Sequence, residues 1–246
     1  MNSVRLGILQ VNHDKSETIG DRFPDDAHRF RDLFDCLPQR FRYHVYMTIG
    51  GVLPDRVDEQ DAYLITGSPL SVNSDARFLP DLFEFIRRCD DARKPLVGVC
   101  FGHQAIAAAL GGRVEKSGAG WNVGVETTRF TETRPWMSPR TDLDLYVFHQ
   151  DEVVELPDGC SLLGSSPRNA CASFARGDHI FTTQSHPEFG FEFMWALLED
   201  ERSLIGESLY ASAASAMSQQ TDGSVFSEWC GRLFEPDDTD GANAAG

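Results

Sequence analysis

A chain of 246 residues, 41% hydrophobic and 24% charged, has the composition of an ordinary globular protein and the length of one large α/β domain. Its formal charge of -16 repels phosphate backbones and anionic headgroups, which argues against nucleic acid and membrane surfaces as partners. No apolar run approaches the ~18 residues of a membrane helix, and residues 1–10 lack the marks of a secretory leader. A cytoplasmic location is therefore expected. None of the six cysteines forms a C-x-x-C pair, and no Cys/His spacing suggests zinc. Five of them read as reduced, small apolar residues; Cys100 stands in different surroundings.

In chain order, strands are predicted at 4–11, 43–47, 62–66 and 95–99. Helices fall between them, beginning at Pro24, over 79–92 and over 102–110. Pro24 is placed in the first turn of its helix, with Asp25 and Asp26 near the positive end of the dipole. Alternation of this kind predicts a largely parallel sheet covered on both faces. The second half is richer in strands, at 123–130, 143–150, 161–164, 172–175 and 180–184, followed by helices over 191–204 and 225–234. Residues 1–234 are read as one domain and 235–246, acidic and without apolar periodicity, as a disordered tail.

The chemistry concentrates in Val97-Gly98-Val99-Cys100-Phe101-Gly102-His103-Gln104, where a buried strand meets a helix N-terminus. Glycines two residues either side of the cysteine permit a sharp, strained elbow that lifts the side chain above the sheet edge. The dipole of the following helix favours a thiolate there, and the Phe101 N–H is placed to meet an oxyanion. A thiol nucleophile needs an imidazole and a group to orient it. Gln184-Ser185-His186-Pro187-Glu188-Phe189 offers both, because His186 and Glu188, two apart on an extended segment, address the same side. His103 is read as packing beneath the elbow, His149 as a pocket wall and not a metal ligand, and Trp121 as part of a loop over the pocket. Phe191, Phe193, Trp195, Leu197 and Leu198 read as core.

These segments resemble the class I, triad-type glutamine amidotransferases. The agreement extends to Ile65-Thr66-Gly67-Ser68-Pro69, Trp121-Asn122-Val123-Gly124 and Phe148-His149-Gln150-Asp151-Glu152-Val153, in the family's order over residues 1–205. Within the family the chain is similar to free-standing proteins like the amidotransferase half of GMP synthase and to the γ-glutamyl peptidases. The resemblance implies a flavodoxin-like three-layer sandwich with a central, mostly parallel sheet and an added β-rich flap. It implies a triad of Cys100, His186 and Glu188 and an oxyanion hole from the N–H groups of Gly67 and Phe101. Gln104, Trp121, Asn122, Val123, Gly124, His149, Gln150 and Asp151 would line the glutamyl pocket. No metal or organic cofactor is expected. Because a G-x-x-x-x-G-K-[ST] loop is missing, the chain is not expected to activate an acceptor itself. Three readings follow: a hydrolase of glutamine or another small γ-glutamyl compound, a glutaminase subunit feeding ammonia to a separate synthase, and a non-catalytic binding protein on the same fold.

Overall fold

The structure, a computed structural model, describes residues 3–217 and 220–235. Apart from Glu235, the expected tail lies outside the described residues. The first half alternates β1 (Val4–Leu9), α1 (Asp26–Phe34), β2 (Phe41–Tyr46), β3 (Ala62–Ile65), α2 (Leu79–Asp91), β4 (Leu96–Val99) and α3 (Phe101–Ala109). The second half brings β5 (Arg113–Lys116), β6 (Asn122–Phe130), β7 (Asp142–His149), β8 (Asp151–Glu155), β9 (Cys160–Ser165), β10 (Ser173–Arg176) and β11 (Ile180–Thr183). Helices α4 (Phe191–Asp200), α5 (Arg202–Ile205), α6 (Glu207–Ser215) and α7 (Gly223–Leu233) follow.

Nine strands form one sheet in the order β2-β1-β3-β4-β11-β10-β9-β6-β7, parallel from β2 to β11 and antiparallel beyond. The parallel part, in the order β2-β1-β3-β4-β11, is the expected flavodoxin-like arrangement. The β-rich half continues the sheet and is not wholly a separate flap. What stands off is the β6–β7 ribbon, joined to β9 only at Arg129 and Phe130, together with the small β5–β8 pair.

Two apolar layers cover the sheet. Alternation along β1 sends Val4, Leu6 and Ile8 toward Phe30 and Phe34 of α1 and Phe226 and Trp229 of α7. On the other face Leu82, Phe85, Ile86 and Cys89 of α2 and Ile106 of α3 pack on Tyr63, Ile65 and Leu96. A third cluster sets Phe193, Met194 and Leu198 of α4 and Ala213 of α6 against Val123 and Tyr146 of the ribbon. All six cysteines are free, with Cys36 exposed.

Several local expectations change. Pro24 precedes the first helix, because Asp25 is extended (φ -66°, ψ 171°) and caps it by accepting from the His28 N–H. The stretch 191–204 breaks at Glu201 into α4 and α5. Strands β5 and β8 were not foreseen, since in β5 only Val114 is buried among exposed charged residues, too little alternation to read as a strand. Helix α6 was also missed. Trp195 is 37% exposed and stacks on the half-buried Phe191, so neither is core.

Candidate active site

Gly67, Cys100 and His186 lie just past the carboxyl ends of β3, β4 and β11, three adjacent parallel strands, where open α/β sheets bind ligands. The elbow is real in the backbone: Cys100 has φ 51° and ψ -102°, a conformation that L side chains rarely adopt. It is held by the Cys100 N–H donating to Thr183 O at 2.8 Å and by its carbonyl accepting from the Gln104 N–H at 3.1 Å. The flanking glycines are required by contact, not by their own dihedrals. A Cβ on Gly98 would stand 2.6 Å from the Gly102 backbone, and one on Gly102 would collide with Ile65 O. Any side chain there would push α3 off the sheet and displace the sulfur. Gly67 is constrained by the site itself, since its Cβ would stand 2.9 Å from His186 Cε1 and 3.8 Å from Cys100 Cβ.

His186 Nδ1 and Glu188 Oε1 are 2.9 Å apart, both residues buried. The His186 N–H donates to Tyr146 O at 2.7 Å, which ties the ribbon to the site. Burial by itself disfavours the imidazolium. The charges of Cys100 and Glu188, with their hydrogen bonds, outweigh it and raise His186 to about 10. The Phe189 ring lies flat on the imidazole, centroids 4.0 Å apart at 11°, and Phe193 meets Phe189 edge-on at 4.6 Å. Arg29 closes the stack, its guanidinium 3.9 Å from the Phe193 ring centroid and paired with the buried Asp26. Burial raises Asp26, with help from the Glu188 charge, against the pull of Arg29.

Cys100 and His186 face a cavity of about 430 Å³. Gly67, Gln104, Trp121, His149, Gln150 and Asp151 line it with them. The remaining candidates do not. Glu188 sits behind His186, and the Phe101 side chain packs toward Phe78 while its backbone N–H, the first of α3, has no helical carbonyl to bond. Asn122 donates to Glu126 along β6, Val123 joins the cluster under α4, and Gly124 takes φ 124° with Ala213 of α6 beside it. The Trp121–Gly124 stretch therefore builds the wall, and only Trp121, edge-on to Phe148 at 5.6 Å, reaches the cavity. Gln104 spends its amide N–H groups on Asp151 O (2.8 Å) and Gln184 Oε1 (3.1 Å).

His103 packs beneath the elbow as read, with Nδ1 2.9 Å from Thr182 Oγ1 and its ring against Phe174. Burial, with the nearby His149, lowers it to about 3. Burial and the charges of His186 and Arg168 likewise lower His149 to about 3, so it is neutral near pH 7. Among the described residues no group of three or more His, Cys, Asp or Glu could hold a metal ion, and no helix is long and apolar enough to cross a membrane.

The sequence reading missed Gln184, whose Nε2 donates to Cys100 Sγ at 3.5 Å. It also missed the wall formed by Asp14, Phe23, Asp26, Arg29 and Glu201. The signal was present at Phe189, Phe193, Leu197 and Glu201, each four residues from the last, which all line the cavity although Phe193 and Leu197 read as plain core.

The family model for class-I glutamine amidotransferases matches residues 38–194. γ-Glutamyl peptidase 3 of Arabidopsis thaliana is 30% identical over 64% of this chain and 67% of its own length. One subunit of the glutamine-hydrolysing GMP synthase of Saccharolobus solfataricus is 32% identical over 52% of this chain and 67% of its own length. A crystal structure of a glutamine amidotransferase from Thermotoga maritima shares the fold with a TM-score of 0.76 at 18% identity, covering 96% of this chain and all of that one. With the match spanning more than half its length, the chain belongs to the class-I glutamine amidotransferase family and is an enzyme of the amide-hydrolysing type.

Proposed function

We propose that the protein hydrolyses the γ-glutamyl amide bond of glutamine or another small γ-glutamyl compound through a thioester on Cys100. The observation that carries this reading is the strained Cys100 elbow facing a His186–Glu188 pair across one cavity. The raised His186 supports an imidazole that holds its proton at rest, ready for the leaving amine. The thiolate attacks the γ-carbonyl carbon, and the N–H groups of Gly67 and Phe101 receive the oxyanion; loss of one such donor costs about 2.7–4 kcal/mol of barrier. As the C–N bond breaks, His186 passes its proton to the leaving amine. Neutral His186 then takes a proton from water, whose oxygen attacks the thioester. Glutamate leaves and the thiolate–imidazolium pair is restored. Glu188 holds the imidazole throughout. Residues 1–234 are proposed as a single catalytic domain, a reading supported by the one continuous nine-stranded sheet.

A panel of γ-glutamyl compounds that includes glutamine, assayed for glutamate release, tests the proposal. Release from at least one compound, lost in Cys100→Ser, is the expected result; full activity in that variant would sink it. A second reading, a glutaminase subunit serving a separate synthase, is favoured by the likeness to one chain of a GMP synthase. It requires glutamine to lead the panel and glutamate release to rise strongly when a synthase partner is added.

A further inference from the structure

We infer that the amine released is one with an apolar body and a positive charge at its far end, received by the wall that runs from Phe189 to Glu201. The inference rests on the hydrolase reading above and assigns the side of the cavity that reading leaves open. A leaving nitrogen must face its proton donor, so the amine departs on the His186 side. From His186 the cavity surface continues along Phe189, Phe193, Leu197 and Leu204, with Phe23 and Ile19 packed beside them. Phe23 meets Phe193 edge-on at 5.4 Å. Ammonia has no use for such a surface, and a cavity of about 430 Å³ falls in the range that takes drug-sized ligands.

The charge on this wall is one-sided. Asp14, from the loop after β1, and Glu201, at the end of α4, both line the cavity. Burial raises Glu201, and the charges of Asp200 and Asp14 add to it, so the two carboxylates on the wall feel each other. No ion pair engages either among the described residues, while Asp14 accepts one hydrogen bond from the Ser16 N–H. The cations of the lining do not compensate. Arg29 is held by Asp26, and Lys116 stands across from Asp151 in the register of β5 and β8. His149 also lines the cavity and keeps its buried Nδ1 without a hydrogen-bond partner. A carboxylate-ended amine would meet repulsion where a cationic one meets two acceptors.

Three probes of matched length test this: the γ-glutamyl amides of pentylamine, diaminopentane and aminopentanoate, with glutamine alongside. The diaminopentane amide is expected to exceed the pentylamine amide in kcat/KM by about fivefold, as two partly exposed ion pairs allow, and the aminopentanoate amide is expected to be slowest. The lead should shrink with added salt and fall toward unity in Asp14→Asn/Glu201→Gln. A flat ranking, or a lead for the carboxylate-ended amide, overturns the inference and leaves the hydrolase reading standing. A lead that survives the double variant unchanged overturns the assignment to these carboxylates. Silence on all four compounds overturns the hydrolase reading, and this inference falls with it.

Discussion

The two walls of the cavity are built by different means. The wall with Cys100, His186 and Gly67 sits on the ends of three adjacent parallel strands; its cysteine and histidine are each 5% exposed, and its glycines leave no room for a methyl group. The wall with Asp14 and Glu201 comes from a loop and a helix end, and Leu204 beside it is 55% exposed. The two walls should therefore tolerate different kinds of change. On the proposed mechanism, reaction geometry would be fixed by backbone packing and selectivity carried by side chains that can vary without disturbing the sheet.

If that division holds, substitutions should grade from one wall to the other. Cys100→Ser is expected to lower glutamate release by about a thousandfold or more, with the melting temperature nearly unchanged, in paired activity and melting measurements. Gly67→Ala adds a single carbon but drives it against His186 Cε1, so kcat should fall by about a hundredfold, as misplacement by an ångström can cause. Glu188→Gln removes one of the groups that raise His186. In the proposed mechanism the protonated imidazole serves the leaving amine, so activity is expected to be lost as pH rises through the His186 pKa. The alkaline limb, expected near 10 in the unaltered protein, should move to lower pH in this variant, as a kcat/KM profile will show. Phe189→Leu keeps apolar volume but loses the flat stack on the imidazole, and a fall in kcat of about two- to tenfold is expected.

The rigid wall should also be sensitive to acid. His103 and His149, both lowered to about 3 by burial, stay neutral when folded but gain protons near 6.5 once unfolded. Their contribution to stability is complete above about 6.5 and is lost as pH falls toward 3, by up to about 1.4 kcal/mol per pH unit for each histidine. Denaturant titrations from pH 7 to pH 4 should show that slope, and it should lessen in His103→Gln.

The first wall was legible in the sequence and the second was not. Gly98, Cys100, Gly102, His186 and Glu188 announce themselves because elbow chemistry and a base two residues from its orienter are local patterns. The parallel half of the sheet was equally plain, since strands buried on both faces read as short apolar runs. Asp14, Asp26, Arg29 and Glu201 come together only through tertiary packing of α1, α4 and the loop after β1. Nothing in the local composition distinguishes Glu201 from a solvated helix end. Asn122, Val123 and Gly124 erred in the other direction. Their motif placed a strand correctly at the wall, but pleating and the approach of α6 turn all but Trp121 away from the cavity.

The proposed mechanism places a covalent glutamyl group on one sulfur. Acid-quenching the enzyme during turnover of its best γ-glutamyl substrate and measuring peptide masses tests it directly. The expected result is one added glutamyl group on the peptide that contains Cys100, absent in Cys100→Ala. Turnover with no adduct at Cys100, or an adduct on another residue, would contradict it.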